Sequence, residues 1–206
     1  MLGYYMDAGH PRLRAMMARA TAERNARNET MVQRLHDAGY PVTMDALHAE
    51  FPGQTMLGRP HISEYLMRRG YVASVQDGMK ILLGRGKPFY VARYNIPLEE
   101  SVETLRAAGG LPVVAHLFKY RYTPEQLTAM VDAATAAGAV GLEAMYTNYT
   151  PAQEQAVRVL AAERGLLCTG GTDYHGARKP DIALGRGFGN LRVPYALLEK
   201  LKEYDA

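Results

Sequence analysis

Helical and apolar extended segments alternate regularly in the second half of this chain. The helical segments are predicted at 97–108, 123–137 and 150–164, and short strands are predicted after them at 111–115, 140–144 and 166–169. Such an alternation is typical of parallel strands that are covered by helices. The sequence therefore predicts an α/β fold in which the carboxyl ends of the strands meet at one edge of a sheet.

The first part of the chain has a different pattern. A short strand is predicted at 2–6, and residues 10 to about 86 have the 3.6-residue periodicity of a small all-helical unit. Helices are predicted there at 13–38, at 44–49, from Pro60 to Gly70 and at 75–83, and a last helix is predicted at 195–204. The sequence thus combines a helical region with an α/β region.

Composition and charge narrow the class of protein. The chain has 206 residues, of which 48% are apolar, and this is enough for one core or for a core with a small subdomain. Its formal net charge of +3 permits anionic ligands and does not require nucleic acid. A single cysteine, Cys168, cannot form an internal disulfide, so a reducing cytoplasm is predicted. Neither a membrane span nor a secretory signal is recognisable in the sequence.

A carboxylate and an imidazole lie two residues apart just after the last predicted strand. Asp173 and His175 lie in a glycine-rich segment, and an extended backbone sends both side chains to the same side. Oxygen and nitrogen ligands together suit Zn²⁺, Mn²⁺ or Fe²⁺, although such a pair is often only a polar loop. His116 and Glu143 end the two preceding predicted strands. Lys119 lies three residues after His116, close enough to contact a substrate that is bound at this edge. His116, Asp173 and His175 are therefore predicted to converge on a metal, whereas Glu143 is a ligand, a partner of a ligand or a cap.

A group of basic residues lies in the helical region. Arg59 and His61 flank a predicted helix start, where backbone N–H groups and the helix dipole favour an anion. The Arg59 guanidinium can bind phosphate oxygens and His61 can donate to them, with a solvated arginine and a capping histidine as the alternative. Arg24 and Arg27 are one turn apart, and they either face the same cleft or form an ordinary solvated helix face.

Several motifs occur in the order that is found in a known family. They are Leu2-Gly3-Tyr4, Glu23-Arg24-Asn25-x-Arg27-Asn28, Gly58-Arg59-Pro60-His61, Ala115-His116, Gly141-Leu142-Glu143 and Gly171-Thr172-Asp173-Tyr174-His175. Over essentially its whole length the chain resembles the PHP (polymerase and histidinol phosphatase) superfamily. The branch that it resembles contains bacterial metal-dependent phosphoesterases, which act on 3′,5′-nucleoside bisphosphates and short RNA 5′ ends.

The resemblance implies a particular fold. The family fold is a distorted (β/α)₇ barrel that carries a helical insertion, and this chain would form an incomplete barrel of that type. Residues 1–9 would be a barrel strand, 10–86 the all-helical insertion subdomain and 87–206 the carboxyl-terminal part of the barrel.

The resemblance also implies roles for the candidate residues. His116, Asp173 and His175 match late metal ligands of the family, so divalent ions (Mn²⁺, Zn²⁺, Fe²⁺ or Mg²⁺) are the implied cofactors. Asp173 and His175 are also the implied catalytic residues, in a hydrolysis by metal-activated water. The substrate would be a small nucleotide-like molecule or a short RNA end. His61 and, by position, Arg24 match residues that hold the substrate phosphate in the family, and Arg59 is predicted to contact the same phosphate from its place at the helix start.

The chain departs from the family pattern at its start. The family begins with an Asp-Leu-His-x-His strand, then an Asp-His pair and a glutamate, and this chain starts after all of these ligands. Leu117 also stands where the family usually has a proline. A truncated gene, a missing half on another polypeptide or a remnant that only binds phosphate, nucleotide or metal would each explain the departure. An open barrel edge would favour pairing with another chain, for example as a homo-oligomer.

Overall fold

The computed structural model describes residues 1–54, 56–176 and 179–204. Contacts between residues divide the chain into two compact units, which are Met1–Arg14 with Pro97–Ala206 and Ala15–Ile96. Each unit has an apolar core of its own and is described by itself. The division at residues 9 and 86, which follows from the resemblance, stays a prediction.

The unit of residues 15–96 is helical, as the periodicity predicts. Its helices are α1 (Pro11–Asp37, which enters the unit at Ala15), α2 (Met44–Glu50), α3 (Arg59–Arg68) and α4 (Val75–Gly78), followed by a π-helical turn at Met79–Leu83. Its core is aliphatic, and the fully buried side chains include Met31, Leu35, Val42, Leu47, Ile62, Leu66 and Leu83. None of the helices in the described ranges is long and apolar enough to cross a membrane.

A close contact between α3 and α4 depends on Gly78. A Cβ added at Gly78 would lie 2.0 Å from the Ser63 hydroxyl oxygen. That hydroxyl cannot easily move, because it donates a 2.7 Å hydrogen bond to the backbone carbonyl of Val75. Glycine therefore lets the two helices approach more closely than any other residue would allow.

We expect Gly78→Ala to lower the free energy of unfolding by about 1–3 kcal/mol, because the added methyl group forces the packed helices apart. Urea denaturation followed by circular dichroism measures the change. Gln76→Ala, at an exposed position on the same helix, is the control and should stay within about 0.5 kcal/mol of the wild type. Equal stability of the two variants would show that this contact is unimportant.

The other unit is built around a mixed sheet, which confirms the predicted α/β class. In the described residues the sheet has four strands in the order β1-β2-β3-β4, with β1 antiparallel to β2 and the other pairs parallel. The strands are β1 (Leu2–Tyr4), β2 (Leu111–Val114), β3 (Gly141–Tyr146) and β4 (Leu167–Gly171). The helices are α5 (Leu98–Ala107), α6 (Pro124–Ala136), α7 (Pro151–Glu163) and α8 (Tyr195–Lys202), with a 3₁₀ turn at Leu117–Tyr120.

Local sequence signals explain where several elements begin and end. Thr123 and Thr150 cap α6 and α7, and each threonine pairs with a glutamine three positions later in a capping box. The first strand was predicted over 2–6 but ends at Tyr4, because Tyr5 has a left-handed backbone with φ of 57°.

The register of the parallel strands places their carboxyl ends together. Val114 is paired with Leu142, and Leu142 with Cys168, so β2, β3 and β4 run side by side. The residues that follow β2 (115–116), the second half of β3 with Thr147 (143–147) and the end of β4 with the residues after it (171–173) form what we call the carboxyl edge. The candidate residues His116, Glu143 and Asp173 lie along this edge, as the alternation of helices and strands predicts.

Candidate functional site

The carboxylate of Asp173 is the centre of a polar cluster at the carboxyl edge. Its Oδ2 atom accepts hydrogen bonds from Lys119 Nζ at 2.6 Å, from Lys179 Nζ at 2.5 Å and from the Tyr146 hydroxyl at 2.8 Å. Burial raises the pKa of Asp173, but these three hydrogen bonds outweigh burial and hold the pKa below its usual value. Asp173 is therefore ionised at neutral pH and faces two ammonium groups.

Two of the candidate residues have an unusual backbone conformation. His116 has φ of 37° and Asp173 has φ of 55°, both in the left-handed region that favours glycine. Strain of this kind is concentrated at functional sites, where surrounding contacts maintain it. The conformation directs both residues away from the regular path of their strands and marks the carboxyl edge as a candidate site.

Glu143 is a buried acid beside His116. The backbone N–H of His116 donates to Glu143 Oε2 at 2.8 Å, and the glutamate is only 5% exposed. Burial raises the pKa of Glu143 to about 7, and the charge of Asp173 acts in the same direction. Gly171 leaves room for this carboxylate, since a Cβ there would lie 2.8 Å from Oε1. Glu143 can therefore take up or release a proton near neutral pH.

The imidazole of His116 offers an unpaired ring nitrogen. Its Nδ1 atom is buried and has no hydrogen-bond partner in the part of the chain that the structure describes. Burial lowers the pKa of His116, which favours the neutral imidazole. A buried polar atom without a partner is unusual in a folded protein, and a neutral imidazole nitrogen is a common metal ligand. His116 Nδ1 is therefore a candidate ligand atom.

The predicted convergence of His116, Asp173 and His175 on one metal is not seen. Within the described ranges no group of three or more His, Cys, Asp or Glu side chains is placed to hold a metal ion. His175 Nδ1 lies 3.5 Å from Asp173 Oδ1 but only 2.6 Å from the backbone oxygen of Asp173. The ammonium groups of Lys119 and Lys179 take the place of a cation on the Asp173 carboxylate. The described residues alone thus do not complete a metal site, and the metal and catalytic roles of the three residues stay predictions.

Sequence reasoning missed two members of this cluster. Tyr146 is the last residue of β3, but the strand was predicted to end two residues earlier, so the tyrosine was not placed at the carboxyl edge. Lys179 lies in the segment that follows β4, where no periodicity or motif indicates its contact with Asp173. Lys119 was recognised as a residue near the site from its position after His116.

The helical unit brings several arginines together. Burial lowers the pKa of Arg27, and the nearby charges of Arg59, Arg24 and Arg93 lower it further. None of these four arginines forms an ion pair with an acidic residue within the described ranges. Clustered guanidinium groups without acidic partners attract an anion with several oxygens, such as phosphate. The phosphate-binding role of Arg24 and its alternative, a solvated helix face, both stay predictions.

Arg59 and His61 begin α3 with defined partners. Arg59 donates to the backbone oxygen of Leu83 at 3.1 Å, and its guanidinium lies 5.8 Å from the centre of the Tyr90 ring. The backbone N–H of Gly58 donates to His61 Nδ1 at 3.1 Å, so His61 caps the helix. This capping role was the alternative to a phosphate contact in the sequence-based prediction. Because Nδ1 accepts, the ring proton of neutral His61 is on Nε2, which acts as a donor.

The chain is similar to three bacterial enzymes of nucleotide and RNA metabolism. It is 29% identical over 175 residues to a 5′-3′ exoribonuclease of Haemophilus influenzae, covering 85% of this chain and 63% of the relative. It is 26% identical over 186 residues to the 5′-3′ exoribonuclease Rnm of Escherichia coli, covering 90% of this chain and 63% of the relative. It is 26% identical over 175 residues to a 3′,5′-nucleoside bisphosphate phosphatase of Chromobacterium violaceum, covering 85% of this chain and 61% of the relative. The chain thus spans less than two thirds of the length of these relatives.

Solved structures show the same likeness. A protein of Bifidobacterium adolescentis described as a metal-dependent phosphoesterase matches with a TM-score of 0.75 and 27% identity, covering 95% of this chain and 68% of the other. The predicted likeness to the PHP superfamily is confirmed. A second structure, an amidohydrolase of Chromobacterium violaceum with bound sulfate and no metal, matches with a TM-score of 0.70 and 26% identity, covering 84% of this chain and 61% of the other. No protein-family model matches the chain.

The comparisons also bear on the alternatives that the sequence left open. The PHP-type α/β fold is confirmed by the two solved structures. The relatives named above are hydrolases by name, two exoribonucleases and a nucleoside bisphosphate phosphatase, and none is described as a protein that only binds phosphate, nucleotide or metal. The structural neighbour from Bifidobacterium adolescentis is itself described as metal-dependent, and its metal is not named.

Proposed function

We propose that this chain acts as a metal-dependent phosphoesterase of the PHP type. The observation that carries the proposal is the Asp173 cluster, which lies at the carboxyl edge of a sheet in a chain that resembles phosphoesterases in both sequence and fold. In sheets of this kind, chemistry is concentrated at the carboxyl ends of the parallel strands. The reaction would be hydrolysis of a phosphate ester.

The proposed substrates are nucleotides with terminal phosphates and short RNA 5′ ends. Relatives are named as a 3′,5′-nucleoside bisphosphate phosphatase and as 5′-3′ exoribonucleases, which supports a nucleotide-like substrate. The arginine cluster of the helical unit supports a substrate that carries a phosphate group. The proposed contacts to this phosphate are Arg59, His61 and Arg24. A structural neighbour of this chain contains bound sulfate, an anion of the same shape as phosphate.

The proposed cofactor is a divalent ion, namely Mn²⁺, Zn²⁺, Fe²⁺ or Mg²⁺. Asp173, His175 and His116 Nδ1 are the ligands that this chain would contribute. Because the described residues do not form a complete set, the remaining ligands would have to come from outside them. Glu143 accepts a hydrogen bond from the backbone N–H of His116 and would hold that proposed ligand in position. Lys119 and Lys179 would stabilise negative charge on the phosphoryl oxygens.

The proposal is tested by measuring phosphate release from adenosine 3′,5′-bisphosphate and release of the 5′ mononucleotide from a 5′-phosphorylated RNA trinucleotide. We expect the full chain to release these products in the presence of a divalent ion and to lose this activity in EDTA, because the bound ion would activate the attacking water. Ions are added one at a time, so the assay also identifies the metal. Release that persists unchanged in EDTA, or no release with any of the four ions, would count against the proposal.

Location and assembly follow as further proposals. A reducing cytoplasm suits the single Cys168, which is only partly buried and has its pKa raised by burial.

β1 and β4 are the outer strands of the described sheet. Pairing of such an edge with a second copy of the chain would give a homo-oligomer.

A further inference from the structure

Two tyrosines just beyond β2 form a stack. The rings of Tyr120 and Tyr122 have their centres 5.7 Å apart and their planes only 20° apart. The residue between them, Arg121, has φ of 57°, a left-handed conformation that is unfavourable for a residue other than glycine. The two nearly parallel rings are offset from each other at this distance, and the left-handed residue lies between them in the chain. The two tyrosines therefore form a defined aromatic stack.

The stack runs outward from the candidate site. The Tyr120 ring lies 5.8 Å from the imidazole of His116, and burial raises the pKa of the Tyr120 hydroxyl. Tyr122, at the other end, is 47% exposed. The order from the carboxyl edge to solvent is thus His116, Tyr120, Tyr122. The stack thus presents an aromatic surface whose outermost ring is open to solvent.

We propose that Tyr122 is the surface on which the nucleobase of the substrate stacks. The inference rests on the proposed function and names how the base is recognised. An exposed tyrosine ring supported from behind by a second ring offers a flat face to any base, without preference for its sequence. Lys119 lies one residue before the stack, and its ammonium group at the Asp173 cluster can attract the phosphate of the same nucleotide. The occupant is a nucleobase, carried by a free nucleotide or by the first residue of an RNA.

The test compares ligands with and without a base. Calorimetric titrations of the full chain use adenosine 5′-phosphate, a 5′-phosphorylated RNA trinucleotide and ribose 5-phosphate, in EDTA so that metal-dependent hydrolysis does not interfere. We expect Tyr122→Ala to weaken binding of adenosine 5′-phosphate about tenfold and to leave ribose 5-phosphate unchanged. Tyr122→Phe should retain wild-type affinity, because the ring and not the hydroxyl makes the contact. A loss for the trinucleotide as well as the mononucleotide would extend the contact to RNA ends, whereas a loss for the mononucleotide alone would limit it to free nucleotides.

The controls separate this inference from others. Tyr204→Ala removes another exposed tyrosine of the same unit and should bind every ligand as the wild type does. The inference is overturned if Tyr122→Ala binds adenosine 5′-phosphate normally, if it loses ribose 5-phosphate to the same degree, or if the wild type binds no nucleotide. Base-dependent binding in a chain that never hydrolyses its ligand would reject the proposed function and retain the role of Tyr122.

Discussion

Replacing Asp173 with asparagine is expected to lower kcat/KM for adenosine 3′,5′-bisphosphate by at least about 100-fold. The substitution keeps the shape of the side chain but removes the charge that Lys119, Lys179 and Tyr146 surround. It also removes the proposed carboxylate ligand of the metal. Initial rates of phosphate release at several substrate concentrations measure the effect.

The matched control for this variant is Asp181→Asn, which removes an exposed carboxylate from the segment that follows β4. It should retain the rate of the wild type. Thermal melts of both variants show whether the fold is kept, so that a loss of activity is not mistaken for unfolding. If Asp173→Asn keeps more than about a tenth of the wild-type rate, the carboxylate does not have the role that we give it.

Replacing Arg59 with alanine is expected to reduce kcat/KM by about 10- to 100-fold, mainly through a higher KM. The guanidinium belongs to the arginine cluster around Arg27 and is positioned by its hydrogen bond to Leu83. Its loss removes a charged contact to the substrate phosphate that is proposed to form in both the ground state and the transition state. Steady-state kinetics with adenosine 3′,5′-bisphosphate give the two constants separately.

Two further variants sharpen this prediction. Arg59→Lys should recover part of the affinity, since lysine keeps the charge but cannot donate from a planar fork. Arg85→Ala, at an exposed position of the same unit, removes an arginine outside the cluster and should behave as the wild type. Equal kinetics for Arg59→Ala and Arg85→Ala would show that Arg59 does not contact substrate.

Much of the fold could be predicted because its signals are local. The Thr-Pro pairs at Thr123 and Thr150 begin α6 and α7, an apolar run of four residues forms β2, and a mostly apolar segment of six residues forms β3. Parallel pairing follows from the helices between these strands. The antiparallel pairing of β1 with β2 has no such signal, because a strand of three residues at the start of the chain can pair in either direction.

The candidate site was only partly predictable, because its contacts join distant parts of the chain. His116 and Asp173 were found from their positions after apolar runs. The contacts of Asp173 with Lys119 and Tyr146 span 54 and 27 residues, and no local pattern encodes them. The buried environment that raises the pKa of Glu143 likewise arises only when the strands pack. Sequence therefore indicated the edge of the sheet where the site lies, and packing determined which charges meet there.

The most direct test of the central claim is anomalous diffraction from crystals of the full chain soaked with ZnCl₂. The account predicts a zinc peak about 2.0–2.2 Å from the Asp173 carboxylate, with the imidazole of His116 or His175 at a similar distance. The ammonium groups of Lys119 and Lys179 would then be displaced from Asp173. Crystals that bind zinc elsewhere while both lysines stay on Asp173 would contradict the account.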